Sequence, residues 1–335
     1  MFVRKNCDLC GDCLVRCQYL NYSKTEAVKE ISRLMRGEKA EILSACVTCS
    51  ACNEFCEKKA NPFDLINMCQ EKYGVPPVPE KTAREYSNLT KVADEIRTGE
   101  KDGPVISLCS LGDFVPRLFE GQLFDRATLV KGGRYFCHLG MIHIGKPLKK
   151  EDVVRFVGNL SRLGSEEIVF YHDECYAVAK VKAAEFGVDV PFRPVHIHEY
   201  IYKYLAAHQG KIKKLNRRAA VQRPCGARYT PEKDGYVDLI FELIGVERVK
   251  REYDGIHALC CGTPLYYRES LENIEELQKK NIADAKDNGA GVFVFSCPIC
   301  LMNMRRMCLR QQIEPASVIR LCREALGEQV SRFTI

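Results

Sequence analysis

Two runs of cysteine constrain this chain more than any other feature. Cys7, Cys10, Cys13 and Cys17 are spaced C-x2-C-x2-C-x3-C, and Cys46, Cys49, Cys52 and Cys56 repeat that spacing. In all, 19 of the 335 residues are Cys. In a small secreted domain that density would mean disulfides. Here Met1 to Cys7 holds no apolar stretch of signal-peptide length, so a cytoplasmic chain with reduced thiols is expected. Cysteines in such a chain read as metal ligands or redox groups. The uncharged stretch Gly289 to Met304 is too short to span a bilayer, so no direct membrane insertion is expected. The net charge of +6 is spread along the chain rather than gathered in a block, which argues against nucleic-acid binding.

The spacing points to a specific chemistry. A cubane [4Fe–4S] cluster takes four thiolates, three from a tight loop and the fourth from a second run. The expected ligand sets are Cys7, Cys10, Cys13 with Cys56, and Cys46, Cys49, Cys52 with Cys17. Zinc and disulfides are the alternatives, although zinc sites usually use separated pairs. Between the runs, Ala27, Val28, Ile31, Leu34, Met35 and Leu43 recur at helical spacing and read as the core face of a helix. With a helix there, residues 1–75 resemble an α-helical ferredoxin domain with two [4Fe–4S] clusters rather than the small β-rich bacterial ferredoxin. The proline usual after the fourth cysteine is replaced by Gln18 and Glu57, which removes no ligand.

Next comes Pro76-Pro77-Val78-Pro79, whose prolines favour an extended linker. A polar segment from Glu80 to Asp102 reads as one helix, so residues 76–103 are a linker and helix. The remainder repeats itself. Val105 to Cys109 is matched by Ala219 to Cys225, Gly133 to Gly140 by His257 to Gly262, and Ile168 to Cys175 by Val292 to Cys300, at offsets of 116 to 125 residues. Each half reads as short apolar strands ending in Cys, with polar helical stretches at Ser161–Glu167 and Leu271–Asn288 before the strands that carry them. Strand–helix alternation implies mostly parallel sheets, which collect ligands at the carboxyl ends of their strands. The expected halves are 104–215 and 216–335, a pseudo-duplicated α/β domain.

The second half holds Cys225, Cys260-Cys261-Gly262 and Cys297-Pro298-Ile299-Cys300, spaced C-x34-CC-x35-C-x2-C. Taken locally, Cys297 to Cys300 also looks like a thioredoxin dithiol; the solitary Cys225 and the Cys260-Cys261 pair are surplus to one. The full pattern resembles the CCG (cysteine-rich) domain of heterodisulfide reductase catalytic subunits. Relatives include a subunit associated with dissimilatory sulfite reduction, thiol:fumarate reductase, and the iron–sulfur subunits of glycolate, lactate and anaerobic glycerol-3-phosphate oxidoreductases. The resemblance implies a noncubane [4Fe–4S] cluster on Cys225, Cys260, Cys261, Cys297 and Cys300, which would be the catalytic centre, or a simpler cluster there. The first half departs from the pattern. Cys109, Cys137, His172 and Cys175 remain, either holding a further cluster with His172 as an unusual ligand or forming an empty remnant, since buried Cys often behaves as a small hydrophobe.

Other residues are weighed singly. Cys69, Cys308 and Cys322 match no motif and read as structural. Met302, Met304 and Met307 read as helix core. Alternation places His196 and His198 on one side of a strand or loop, for packing or partner contact, with a metal role as the alternative. Arg228 is either an ordinary surface arginine or a group that neutralises cluster charge or binds an anionic substrate.

No G-x-G-x-x-G follows a strand and no P-loop occurs, so electrons are expected from a partner such as a flavoprotein or another redox subunit. What the resemblance implies is a subunit of a hetero-oligomeric heterodisulfide reductase-like complex. It would relay electrons through two [4Fe–4S] clusters to the CCG centre and reduce a disulfide or thiol carrier, in anaerobic metabolism. The alternative is a non-catalytic electron-transfer subunit of a flavin-dependent dehydrogenase of the hydroxy acid, glycerol-3-phosphate or fumarate/succinate type.

Overall fold

Residues 1–75 form five helices around the two cysteine runs: α1 (Asp12–Val15), α2 (Lys24–Met35), α3 (Ile42–Ala45), α4 (Ala51–Phe55) and α5 (Pro62–Tyr73). The structure is a computed structural model that describes residues 1–75, 78–115, 117–267 and 271–331. Helix α2 starts on a reciprocal cap. The Ser23 side chain accepts the Glu26 N–H, and the Glu26 carboxylate accepts the Ser23 N–H. Ala27, Ile31 and Leu34 of α2 are buried in one cluster with Ile42, Leu43, Leu65 and Ile66. Glu30 is buried beside them and accepts the Ile42 N–H at 2.8 Å, which ties α3 to α2. Helix α5 opens on Pro62, whose missing N–H has no partner to lose, and closes on Gly74 at φ +59°.

The segment expected as one helix over 80–102 is broken. Helix α6 (Glu80–Asn88) ends early, and the chain lays down β1 (Glu95–Arg97) antiparallel to the edge of a sheet. Two contacts turn it: Thr90 Oγ1 donates back to the Ser87 carbonyl at 2.7 Å, and the Asp94 carboxylate accepts the Arg134 N–H at 3.0 Å. The second contact comes from 40 residues away, so no local window shows it. Pro76 and Pro77 of the expected linker lie outside the described residues.

The rest is α/β with two parallel-rich sheets. The first sheet holds β2 (Val105–Ser107), β3 (Thr128–Lys131), β4 (Glu167–Phe170) and β5 (Arg193–His196), in the order β1-β3-β2-β4-β5, and only β1 runs antiparallel. The second holds β6 (Arg217–Gln222), β7 (Val246–Arg248), β8 (Val292–Phe295) and β9 (Glu314–Ser317), all parallel, in the order β7-β6-β8-β9. Helix α7 (Lys150–Ser161) precedes β4. The helix expected over 161–167 therefore lies earlier, ending before Gly164 at φ +68°. After β4, α8 (Asp173–Ala177) runs through a π-helical turn, Val178–Lys182, into α9 (Ala183–Glu185). The remaining helices are α10 (Ile197–Ala207), α11 (Gly235–Ile244), α12 (Leu271–Asp287), α13 (Pro298–Arg310) and α14 (Val318–Ala325).

One apolar core is shared between the sheets. Val169 and Val195 from the first and Val221, Val292 and Val294 from the second join side chains of α10, α11 and α14. Alternation then sends Ile168 and Phe170 to a separate core under α7, and Phe293 and Phe295 to one under α13. Among the described residues no helix is long and apolar enough to cross a membrane.

Candidate metal centre

The strand order reverses between β2 and β4, and again between β6 and β8, and such crevices are where parallel sheets place ligands. Cys109, His172, Cys225 and Cys297 each follow one of these four strands within three residues. Cys137 and the Cys260-Cys261 pair do not end strands; they sit in loops well beyond β3 and β7. The loops fold back, so Cys109, Cys137 and His172 of one half and Cys225, Cys261 and Cys297 of the other line a single cavity of about 390 Å³.

In the amino-terminal part, one cavity is lined by Cys7, Cys10, Cys13 and Cys56, and another by Cys17, Cys46, Cys49 and Cys52, with Cys13 between them. The two runs have matching backbones. Leu9 and Gly11 adopt φ +63° and +77°, and Thr48 and Ser50, at the same places in the second run, adopt +55° and +62°. Left-handed backbone at Leu9, Thr48 and Ser50 is costly and persists only where the surroundings enforce it. Here it curls each loop so that its three thiols turn inward. At Gly11 the close approach of α2 leaves no room for a side chain, since a Cβ would lie 2.9 Å from the Val28 nitrogen. Burial, reinforced by the neighbouring Cys56, Cys10 and Cys7, pushes the Cys13 thiol up to about 12. Without a metal the Cys13 sulfur is a neutral thiol, and cation binding must release its proton.

The first half brings Cys109, Cys137 and Cys175 together. Their sulfurs all lie within 4.8 Å of one another and all three are buried. Cys109 holds φ +59°. Burial opposes its ionisation, but hydrogen bonds with Cys137 and Cys175 and the charge of His172 outweigh it and hold the thiol well below its ordinary value. His172 does not join the three at that spacing. Its Nε2 pairs with Glu174 Oε2 at 2.7 Å, and the ring stands within hydrogen-bonding reach of Cys137 and of Cys297 across the cavity.

The second half brings its five thiols into one chain of contacts, Cys225 to Cys260 to Cys261 to Cys300 to Cys297. Cys297 caps α13, where the helix dipole favours thiolate, whereas hydrogen bonds with Cys261 and Cys297, then burial, hold Cys300 in the first turn well above its ordinary value. A hydrogen bond with Cys300, then one with His172, lowers Cys297 to about 7 against burial. The Cys260-Cys261 loop is held from every side. Gln278 and Asn303 donate to the Cys261 carbonyl at 2.9 and 2.7 Å, and the Gly262 N–H reaches Cys260 Sγ at 3.4 Å. Gly262 stands at φ +89° with Ile274 where a Cβ would be.

The amino-terminal sets abut both halves. Cys49 shares a buried cluster with Cys260, Leu265 and Ile274, and Tyr19 and Cys225 pack against it. Cys46 and Cys52 pack against the core that contains Cys109, Cys137 and Cys175. The buried Tyr19 hydroxyl accepts the Cys260 N–H at 2.6 Å.

Arg228 is not a surface residue. Its side chain is 3% exposed and bonds Glu54 of α4 and the carbonyls of Ile256 and Ala258. Arg223 holds the same Glu54 with both terminal nitrogens, at 2.6 and 2.8 Å, and Asp234 with its Nε at 2.6 Å. Glu54, Arg223 and Tyr19 were not singled out from the sequence. Their only signal is position, since each lies within two residues of a motif cysteine. Cys69, Cys308 and Cys322 are buried in apolar cores. Met304 and Met307 are buried, whereas Met302 is 43% exposed and lies outside the core. His196 ends β5, His198 lies in α10, and their rings pack edge to face at 4.6 Å, with His196 Nε2 3.5 Å from the buried Asp173.

Residues 219–305 match the family model of the cysteine-rich CCG domain. No curated protein matches the chain. Among solved structures, glutamate racemase isoform RacE1 from Bacillus anthracis is similar at 15% identity and a TM-score of 0.35, over 68% of this chain and 81% of that one. That likeness is too slight to bear on fold or function. The family match spans β6 to α13 and takes in all five clustered thiols, which supports the CCG family and an iron–sulfur type of redox chemistry.

Proposed function

We propose that this chain is the iron–sulfur subunit of a heterodisulfide reductase-like complex. Residues 1–75 act as a helical ferredoxin domain holding two [4Fe–4S] clusters, one on Cys7, Cys10, Cys13 and Cys56 and the other on Cys17, Cys46, Cys49 and Cys52. Residues 104–215 and 216–335 act as two copies of one fold, since β3-β2-β4-β5 and β7-β6-β8-β9 share one strand order. Cys225, Cys260, Cys261, Cys297 and Cys300 hold a noncubane [4Fe–4S] cluster, and Cys109, Cys137 and Cys175 offer a further centre. When bound, such clusters supply single-electron transfer.

The observation that carries the proposal is the packing of Cys49 with Cys260 and Cys225 in one buried cluster. A ligand of the second ferredoxin centre thereby lies in one apolar cluster with ligands of the CCG centre. The chain's own residues hold the thiols, exclude solvent and keep the cavity between the halves open to a disulfide. Electrons come from a partner flavoprotein or other redox subunit, in a cytoplasmic and anaerobic setting. The overall reaction at the cavity is RSSR + 2 e⁻ + 2 H⁺ → 2 RSH.

The test is anaerobic reconstitution, iron quantification and EPR during reductive titration, followed by disulfide turnover with a reduced viologen as electron donor. About twelve irons per chain are expected for the ferredoxin and CCG centres, and about sixteen if the first half is also loaded. About eight irons, or loaded protein that turns over no disulfide and copurifies with a flavoprotein, would overturn the catalytic reading in favour of a pure electron-transfer subunit.

A further inference from the structure

Three segments that carry candidate ligands meet at one side chain. Arg228 lies three residues after Cys225 and donates to the Ile256 carbonyl at 3.0 Å and the Ala258 carbonyl at 2.8 Å, in the loop that leads to Cys260 and Cys261. It also donates to Glu54 Oε2 at 2.7 Å, and Glu54 sits midway between Cys52 and Cys56 on the helix that bears Cys52. Both members of that pair are nearly excluded from solvent, at 3% and 9% exposure. Arg228 is absent from the described lining of the large cavity, and Glu54 and the two carbonyls take up both of its terminal nitrogens. A role in binding an anionic substrate is therefore not what this geometry serves.

We propose that Arg228 is a positioning residue at the junction of the ferredoxin and CCG centres, tying their ligand loops together and setting the reduction potential of the Cys17/Cys46/Cys49/Cys52 centre relative to its neighbours. The proposal rests on the electron-transfer function given above. Two physical effects combine. A planar guanidinium presents donors in a fixed fork, so one side chain can hold a carboxylate and two carbonyls at once. A buried charge is also weakly screened. The charge stands among the ligand segments, because the Glu54 it pairs with lies two residues from Cys52 and Arg228 itself lies three from Cys225. Each electron that enters a cluster makes it more negative, so a fixed cation beside it stabilises the reduced state. Glu54, Asp234, Arg223 and Arg228 together are near neutral. Removing one member therefore leaves a net charge whose sign is known.

The test compares Arg228→Gln, Arg228→Lys and Glu54→Gln with the wild type in the loaded full chain, by EPR-monitored redox titration and by amide hydrogen exchange over 51–56 and 255–262. Arg228→Gln is expected to shift the Cys17/Cys46/Cys49/Cys52 centre to lower potential and to speed exchange in both segments. Arg228→Lys keeps the charge but loses the fork, so the potential stays near wild type while exchange rises. Glu54→Gln is expected to shift the potential upward. Arg228→Gln protein with wild-type iron content and unchanged potentials overturns the proposal. If that variant does not fold, an unchanged potential in Glu54→Gln overturns it. If the wild type takes up no iron, the electron-transfer function fails first. Exchange in the iron-free chain then decides the clamp, and unchanged exchange in Glu54→Gln refutes it.

Discussion

Single side chains at this site act through what they are buried against. Glu54 would be raised by burial alone, but its hydrogen bonds to Arg223 and the two guanidinium charges outweigh that and hold it below its ordinary 4.5. A carboxyl whose folded-state value is depressed adds stability above its unfolded value and loses it as pH falls through the folded one. Glu54→Gln should therefore destabilise the chain by about 3 kcal/mol near neutral pH, the lower end for breaking a buried pair, because Arg223 keeps Asp234. The gap to wild type should close below about pH 4.5, and chemical unfolding at a series of pH values measures it. A gap that stays constant with pH would show that the carboxylate charge is not the stabilising element. In a chain that takes up about sixteen irons, Cys175→Ser should lower bound metal by one centre while leaving the CCG and ferredoxin signals intact. Unchanged metal content would show that Cys109, Cys137 and Cys175 are only packed.

At the scale of elements, the ligand loops depend on contacts that arrive from elsewhere in the chain. The Cys260 N–H finds its partner in Tyr19, 241 residues earlier. Tyr19→Phe keeps the ring and removes the acceptor, so it should cost about 1–3 kcal/mol, the penalty for a buried unsatisfied group. Hydrogen exchange at Cys260 should accelerate more than at other core amides, and equal protection in both proteins would refute the contact. Elements also fell short of their local reading in an instructive way. The stretch over 80–102 is polar enough to be one helix, yet α6 stops at Asn88 and β1 follows. What stops it is an edge of β3 with unpaired backbone groups and an Asp94–Arg134 contact, which compete with helix continuation only once the sheet exists.

Across the whole molecule, the decisive feature is how closely the two α/β halves approach. The turn after Cys225 lies against the start of α8. A Cβ on Gly226 would fall 2.9 Å from the Asp173 Cβ and from the Glu174 nitrogen. The buried Lys233 of the second half pairs with Asp173 of the first, which locks the same contact. Gly226→Ala should therefore destabilise by about 1–3 kcal/mol, as overpacking does. It should also push Cys225 away from the cavity, seen as lost CCG-centre metal with intact ferredoxin signals. A fully loaded Gly226→Ala protein of wild-type stability would mean that the halves can separate freely.

Local spacing alone gathers six of the amino-terminal thiols into two loops of three. Two residues between successive cysteines let one loop turn three thiols the same way, whereas Cys56 and Cys17, from the opposite runs, line the same cavities only because the fold returns there. Strand–helix alternation likewise implied parallel-rich sheets, because a crossover must return on the same side. The sequence left the first half open between a further cluster and an empty remnant. Nothing local says whether Cys109, Cys137 and Cys175, spread over 66 residues, converge or scatter; the crevice between β2 and β4 and the folded-back loop decide that. It left Arg228 open between a surface residue and a group that neutralises cluster charge or binds an anion, and only packing brings Glu54, 174 residues away, against it. Ligand spacing is a short-range property of covalent geometry. Burial, charge pairing and the meeting of distant thiols are properties of packing, and only the tertiary structure supplies them.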